Sequence, residues 1–293
     1  MLKANPKISI LMNCLNGEEF LESAISSVIS QTYSNWELIF YNNASVDESK
    51  NIFFSFKDER LQYFERTSTI EIALARNDAL LHASGAWIAI LDVDDIWSDN
   101  KLERQLQALE DNHLIDPKVI FTSCEVIMDN KKIYINQDFS PEAAFNDLLS
   151  LNLSVPWSSV LISKETFFSL QGFNNEYPSA HDLDFLIRCA KKNTLFHVDE
   201  NLVSIRHHEN SLSSINKNKK GDYYFEIMDV LKPYLEFKAA VLGTSKMKLS
   251  YLFLLIKNIQ IIALCKSLKG VSRAEFKYFL IILYRRFWKS LGK

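Results

Sequence analysis

Three aspartates with spacing suited to a cation, Asp92, Asp94 and Asp95, directly follow an apolar run at residues 87–91. Carboxylates this close together repel one another unless a cation lies between them, and Mg²⁺ and Mn²⁺ prefer oxygen ligands and substrate phosphates. A metal held there would bridge a diphosphate and stabilise the charge that develops as the diphosphate departs. The triplet alone fits equally well with a solvated acidic loop or with the cap of a helix, where Asp is favoured.

The elements that must position these aspartates alternate in type along the chain. Strand-like apolar runs and helix-like segments follow one another at residues 8–12, 18–30, 36–41, 61–64, 72–83, 87–91 and 101–112. This alternation predicts an α/β fold, with crossover units and a mostly parallel sheet that carries helices on both faces. Ligands bind beyond the carboxyl ends of the strands in such sheets, and Asn13, Asn42 and Asp92 all stand at those ends.

The remainder of the chain predicts a continuation of this domain and then a change of character. A hairpin, two helices and three short strands are expected at residues 118–135, 141–149, 160–163, 182–192, 195–198 and 203–208. The polar stretch 211–222 then predicts a linker. We therefore expect a catalytic domain at residues 1–215 and a helical region at residues 216–293.

Charge is distributed unevenly over the 293 residues, whose net charge is −3. Residues 245–293 hold eleven Lys and Arg against one acid, Glu275, so the rest of the chain carries −13. An acidic body argues against a nucleic-acid binder, and the basic, aromatic tail favours either an anionic membrane surface or a homodimer contact. No run reaches the roughly 18–20 apolar residues of a spanning helix. We expect a cytoplasmic protein, peripheral on the inner face of the membrane.

The four cysteines are far apart in the sequence and form no CxxC pair. This spacing argues against a zinc ribbon and against a disulfide-rich secreted scaffold.

Three motifs in order resemble the inverting family 2 glycosyltransferases of GT-A fold. They are ISILMNCLNGEEFLESAISSVISQTYSNWELIFYNNASVD at residues 8–47, ARNDALLHASGAWIAILDVDDIW at residues 75–97, and RHHENSLS at residues 206–213. The resemblance spans roughly residues 6–215. It implies a GT-A (Rossmann-like) domain, with a mostly parallel mixed sheet and helices on both faces, followed by a C-terminal helical extension. Such a domain transfers a sugar from a nucleotide diphosphate, as in the assembly of bacterial cell-surface polysaccharides.

The resemblance assigns a donor site and a metal site. The donor side would be formed by Asn13, Cys14, Asn16, Glu18, Asn42, Arg76, Asn77, Asp92 and His208. Asp94 and His208 would hold Mn²⁺ or Mg²⁺. Asn42 departs from the family, which usually has an Asp that contacts the base. Because an amide offers both donors and an acceptor, we expect Asn42 to favour UDP- or dTDP-sugars.

On the acceptor side, the resemblance makes Asp182 the general base, which an alcohol nucleophile needs within hydrogen-bond reach. His181 replaces the usual Glu, a second departure from the family. Asp184 is the alternative carboxylate, and Trp157 and Ser158 would line the acceptor side. Asp182 is also suited to cap a helix.

These residues imply an inverting, metal-dependent transfer from a UDP-sugar to a hydroxyl of a glycan or of a lipid-linked acceptor. Two alternatives stay open. A degenerate relative would bind nucleotide-sugar or glycan without turnover, and a nucleotidyl- or phosphotransferase would use the same acids, although the chain has no GxxxxGK[ST] loop.

Overall fold

A computed structural model describes residues 5–111, 118–128, 131–135, 139–192, 195–209, 211, 226–227 and 229–234. The chain divides into two units, Met1–Leu231 and Lys232–Lys293. The fold described below belongs to the first unit. Of the second unit only residues 232–234 are described, so the predicted basic helices of residues 245–293 lie outside the described residues.

One mixed sheet organises the first unit. Its strands are β1 (Ile8–Cys14), β2 (Trp36–Asn42), β3 (Leu61–Glu65), β4 (Trp87–Ile90), β5 (Ile96–Trp97), β6 (Val119–Met128), β7 (Lys131–Ile135), β8 (Leu161–Ser163) and β9 (Leu195–Arg206). They lie in the order β3-β2-β1-β4-β8-β6-β9-β5, and β7 pairs with β6. The pairs among β3, β2, β1 and β4 and the β6–β9 pair are parallel, whereas β8 runs antiparallel to both of its neighbours.

Helices connect these strands. They are α1 (Leu21–Ile29), α2 (Ser49–Ser55), α3 (Ile72–Leu80), α4 (Lys101–Asp111), α5 (Ala144–Leu149), α6 (Lys164–Ser169) and α7 (His181–Ala190). Residues 226–227 and 229–234 are also helical, and we call them the C-terminal helical segment. Among the described residues, no helix has the length and apolar character required to cross a membrane.

The core explains why the parallel strands are continuous apolar runs. Strands β1 and β2 are buried along nearly their whole length, because helices cover both faces of the sheet. One side of the core packs α1 against β1, with Leu21, Ala24, Ile25 and Val28 fully buried. Burial of each such side chain stabilises the fold by about 1.5–3 kcal/mol.

One expectation from the sequence is confirmed by this topology and one is corrected. The sheet is mixed, as expected for a GT-A fold, because β5, β7 and β8 each pair antiparallel to a neighbour. The two strands expected at residues 195–198 and 203–208 form one strand, β9, whose register shifts beside Thr122 and Ser123 of β6. A β-bulge of this kind bends a strand without ending it.

Candidate active site

The acid triplet forms a loop between β4 and β5, and a single buried serine holds its shape. Ser158 is fully buried; its hydroxyl donates to Oδ2 of Asp95 at 2.5 Å and accepts the backbone N–H of Asp92 at 3.1 Å. Oδ1 of Asp95 accepts the backbone N–H of Arg206 at 3.2 Å. Asp95 therefore ties the loop to the end of β9, while Asp92 and Asp94 remain partly exposed.

His208 meets the acid loop from the segment after β9. Its Nε2 lies 3.1 Å from Oδ2 of Asp94, and its ring packs on Phe20 with centroids 4.7 Å apart. The guanidinium of Arg206 also lies over the Phe20 ring, 5.1 Å from its centroid. The motifs at residues 75–97 and 206–213 thus meet in space, as the resemblance implies.

Arg76 joins the acid loop to the start of α7. Its buried guanidinium contacts Oδ1 of Asp92 at 2.5 Å and Nε2 of His181 at 2.9 Å. Nδ1 of His181 lies 3.1 Å from the Pro178 carbonyl oxygen. Because Nε2 must accept from a guanidinium, which has only donors, His181 is a neutral ring that donates through Nδ1. Burial and the adjacent Arg76 cation lower the pKa of His181 to about 3, which agrees with that assignment.

The two candidate bases on α7 have different surroundings. Asp182 is partly buried, its Oδ1 accepts the backbone N–H of Leu183 at 2.7 Å, and burial raises its pKa. Asp184 is buried and its Oδ2 pairs with Arg188 at 2.6 Å. Arg188 also donates to the carbonyl oxygens of Leu170 and Gly172. The structure thus engages Asp184 in packing, away from the acid loop, and leaves Asp182 beside His181.

The first loop, after β1, where the sequence predicts the donor side, contacts residues 45–48. Asn16 has a φ of +54° and its side chain accepts the N–H of Val46 at 2.9 Å. The carboxylate of Glu18 accepts the N–H of Glu48 at 2.9 Å. Cys14 is fully buried, with Sγ 3.4 Å from the Ser49 hydroxyl, so it packs beneath the loop in the protein interior.

Asn13, the second-last residue of β1, differs from the residues of this loop. Its amide oxygen and nitrogen are both buried, and neither has a hydrogen-bond partner within the described part of the chain. Buried polar groups are almost always paired, so an amide without a partner at the carboxyl end of β1 is consistent with a ligand-binding position.

Asn42 is engaged by the protein itself. Its Oδ1 accepts the N–H of Ser45 at 2.8 Å, and its Nδ2 donates to the Tyr63 hydroxyl at 2.9 Å. That hydroxyl donates to Glu65 at 2.7 Å, and burial raises the pKa of Tyr63 to about 12. These two contacts leave one amide hydrogen of Asn42 for a nucleobase. The preference for uracil, which was expected from an amide that offers both donors and an acceptor, therefore has less support.

Asn77 and Trp157 shape the segment that precedes α7. The Asn77 amide accepts the N–H of Phe173 at 3.0 Å and donates to its carbonyl oxygen at 2.9 Å, as in a strand pair. Trp157 is buried and packs edge-on against Phe173, with centroids 5.0 Å apart. Both residues therefore hold residues 173–175 in place. The sequence had led us to expect Asn77 on the donor side and Trp157 on the acceptor side.

The donor set of Asp94 and His208, a carboxylate oxygen and an imidazole nitrogen, is one that could hold a divalent metal. Oδ2 of Asp94 and Nε2 of His208 lie 3.1 Å apart, within reach of each other as an ion pair. Burial and the Asp92 carboxylate raise the pKa of Asp94, and a cation would reverse that effect. No cluster of three potential metal ligands is present among the described side chains. Two protein ligands leave room for diphosphate oxygens and water, the arrangement Mg²⁺ commonly takes.

Comparison with known proteins decides the family. The family model for glycosyl transferase family 2 matches residues 9–158, which include the acid loop and Ser158. The chain belongs to glycosyltransferase family 2. It is therefore an enzyme that transfers a sugar.

Two curated relatives of this chain are also named as glycosyltransferases. The chain is 29% identical over 212 residues to the UDP-Glc:α-D-GlcNAc-diphosphoundecaprenol β-1,3-glucosyltransferase WfgD of Escherichia coli, covering 72% of this chain and 80% of that protein. It is 27% identical over 217 residues to the putative teichuronic acid biosynthesis glycosyltransferase TuaG of Bacillus subtilis (strain 168), covering 73% and 84%.

Solved structures show that the fold is GT-A. Residues 1–349 of TarS from S. aureus, in complex with UDP-GlcNAc, match with a TM-score of 0.65 at 16% identity, covering 78% of this chain and 66% of that one. The mannosyltransferase PcManGT from Pyrobaculum calidifontis, in complex with GDP-Man and Mn²⁺, matches with a TM-score of 0.55 at 15% identity, covering 88% and 81%.

Two contacts at the site were not foreseen from the sequence. Phe20 has the helical spacing of a core residue, yet its ring packs on His208. Glu226 follows the polar stretch that predicts a linker, yet its carboxylate binds the backbone just before α7. No local pattern signals either contact, because each joins segments far apart in the chain.

Proposed function

We propose that this glycosyltransferase inverts the anomeric centre, using Asp182 as the base and a divalent metal bound at Asp94 and His208. The observation that carries the proposal is the bridge made by Arg76. Its guanidinium contacts Asp92 on the acid loop and His181 at the start of α7, and so links the metal side to the residue preceding the base. The bridge brings the start of α7 next to the acid loop, which suits an inverting reaction because the nucleophile and the leaving group must lie in line.

In the proposed reaction, the acceptor hydroxyl oxygen attacks the anomeric carbon of the sugar. The proton of that hydroxyl passes to the Asp182 carboxylate as the new C–O bond forms. The bond between the anomeric carbon and the diphosphate oxygen breaks, and its electron pair leaves with the nucleoside diphosphate. Because attack comes from the opposite face, configuration at that carbon inverts. Partial burial of Asp182 raises its pKa and makes it a stronger base.

The chain's own residues hold the leaving group. Arg76 is a permanent cation that recognises oxygens, and its Nε is buried with no partner among the described atoms. Asn13 offers a second unpaired donor. A metal bound by Asp94 and His208 would supply Lewis-acid stabilisation of the departing diphosphate.

For the substrates, we infer a UDP-sugar donor and a lipid-linked glycan acceptor in surface polysaccharide assembly. The relative WfgD is named for transfer from UDP-Glc to a GlcNAc-diphosphoundecaprenol, and a TarS structure holds UDP-GlcNAc. The GDP-Man complex of PcManGT makes GDP-mannose the donor to test against these. Residues 245–293 would bring the enzyme to an anionic membrane surface or pair two copies, as their composition suggests.

Two aspartates on α7 provide the decisive test and its matched control. Asp182→Asn removes the proposed base, whereas Asp184→Asn makes the same change two residues away in the ion pair with Arg188. We expect Asp182→Asn to lower kcat by at least a hundredfold, consistent with loss of general base catalysis. Asp184→Asn should reduce stability and leave kcat within threefold. The assay is UDP or GDP release from UDP-glucose, UDP-GlcNAc and GDP-mannose, with a GlcNAc-diphospholipid acceptor.

A wild-type rate for Asp182→Asn would refute the assignment of the base. Retention of anomeric configuration in the product would refute the inverting mechanism, and release of pyrophosphate would indicate nucleotidyl transfer instead. No turnover with any donor, together with tight UDP binding, would favour the degenerate binding protein.

Metal dependence is tested by calorimetric titration of UDP with and without Mn²⁺, into wild type and Asp94→Ala. We expect tight binding to need both the metal and Asp94, because that carboxylate would hold an ion to which diphosphates bind. Equal affinity in all four titrations would refute the proposed metal site.

A further inference from the structure

Helix α7, which bears the proposed base, has Ala180 at its N-cap position, where the side chain makes no hydrogen bond. The carboxylate of Glu226, from a distant part of the chain, binds the two residues that lead into this helix. Its Oε2 accepts the backbone N–H of Ser179 at 2.7 Å and that of Ala180 at 3.0 Å.

Glu226 is held in place by the segment that carries it. Ile227, Val230 and Leu231, which follow it in the C-terminal helical segment, are 6%, 2% and 1% exposed. These apolar side chains anchor the segment in the first unit of the chain, which extends to Leu231. The carboxylate is therefore held in position, and its two hydrogen bonds restrain the backbone at Ser179 and Ala180.

The backbone held by Glu226 leads directly into the site. Residues 178–180 precede His181 and Asp182, and the Pro178 carbonyl oxygen fixes the His181 ring that Arg76 contacts. An anion also interacts favourably with the positive end of a helix dipole. Loss of the Glu226 carboxylate would free this peptide, and with it the start of α7.

We infer that Glu226 is a positioning residue that holds Asp182 in line for catalysis through the N–H groups of Ser179 and Ala180. This inference rests on the proposed role of Asp182 as the base. Displacement of a reacting group by about 1 Å can lower a rate about a hundredfold, so the effect should fall on kcat. Donor binding should not change, because Glu226 touches neither the acid loop nor the first loop in the described contacts.

Four variants of the full chain separate position from charge. Glu226→Ala removes both hydrogen bonds, and Glu226→Asp keeps the charge on a side chain that is one methylene shorter. Glu226→Gln keeps an acceptor oxygen, which suffices for both N–H groups because both bind the same oxygen in the structure. Asp229→Asn is the control, since it removes one exposed negative charge from the same helical segment.

We expect Glu226→Ala to lower kcat by ten- to a hundredfold and Glu226→Asp to give an intermediate loss. Glu226→Gln should restore kcat to within threefold of wild type, and Asp229→Asn to within twofold. The Kd for UDP, measured by calorimetry, should stay within twofold in all four variants. A residue needed only for stability would lower the melting temperature without this split between kcat and Kd, and without rescue by Gln.

The inference is overturned if Glu226→Ala keeps kcat within threefold, or if kcat and UDP affinity fall together. It is also overturned if Asp229→Asn loses as much activity as Glu226→Ala. Should Glu226→Ala not fold, the comparison of Glu226→Asp with Glu226→Gln decides the same question. Asp182→Asn is assayed alongside: if it is active, the proposed base is wrong, and if it is inactive while Glu226→Ala is active, only the positioning role fails.

Discussion

Replacement of Ser158 by Ala tests whether one hidden hydroxyl holds the acid loop. The Ser158 hydroxyl joins Asp95 and the backbone N–H of Asp92, at 2.5 Å and 3.1 Å. Without it, a buried carboxyl oxygen and a backbone donor each lack a partner. Each buried unsatisfied group costs about 1–3 kcal/mol, so we expect Ser158→Ala to lower the free energy of unfolding by about 2–6 kcal/mol.

Ser159 provides a control of the same type and burial. Its hydroxyl is buried and donates to the Pro156 carbonyl oxygen at 2.6 Å, and this oxygen also accepts the Ser159 N–H at 3.0 Å. The carbonyl therefore keeps a partner in Ser159→Ala, and the expected loss is about 1 kcal/mol.

Urea unfolding gives the stability of each variant, and titration of UDP with Mn²⁺ gives the effect on the site. We expect at least tenfold weaker UDP binding in Ser158→Ala, because the loop that carries Asp92 and Asp94 shifts, and a change within twofold in Ser159→Ala. Equal stability losses in the two variants, with unchanged UDP affinity in both, would show that the loop holds its shape without Ser158.

Three further predictions concern α7 and the turn before it. The pKa of His181 is about 3 in the folded chain and 6.5 in the unfolded chain, so the unfolded chain binds a proton first as pH falls. The free energy of unfolding therefore falls as pH drops below 6.5. Between pH 7 and pH 5, wild type should lose about 2 kcal/mol more than His181→Gln, measured by urea unfolding. The kcat of wild type should fall as pH drops through the raised pKa of Asp182, above the usual 3.8, and this acid limb should be absent from the residual rate of Asp182→Asn in a pH–rate profile. Gly172 has a φ of +66° and a Cβ there would lie 2.7 Å from Oδ1 of Asn77, so Gly172→Ala should cost about 1–3 kcal/mol by thermal or urea unfolding, and a change under 0.5 kcal/mol would contradict this reasoning.

The regular elements near the donor site follow from the sequence because their pattern is local. The runs expected at residues 8–12, 36–41, 61–64 and 87–91 correspond to β1, β2, β3 and β4 within a few residues. A continuous apolar run indicates a strand that is buried on both faces, and polar residues mark where the strand ends. The short helices α2 and α6 were not predicted, because one or two turns of helix contain too few residues to show a clear apolar periodicity.

Side-chain roles were harder to foresee, because a motif gives a position without its partners. Asn77 and Asp184 are polar residues within recognised motifs, yet each is engaged by its own neighbours, Phe173 and Arg188. Arg76 shows the same difficulty from the other direction: its contact with His181 joins two motifs that lie more than a hundred residues apart in the sequence. The replacement of Glu by His at position 181 becomes intelligible only with that contact, since a neutral ring still accepts from the guanidinium.

The contact made by Glu226 bears on how such enzymes can be recombined. The family match ends at residue 158 and the last described strand, β9, ends at Arg206, so a natural place to join the C-terminal region of one relative to the sheet of another would be soon after β9. A chimaera joined there would receive a foreign residue in place of the carboxylate that holds the entry to α7. A junction after Leu231 keeps this carboxylate together with the helix whose entry it holds, so the residues beyond it can be exchanged without loss of the contact.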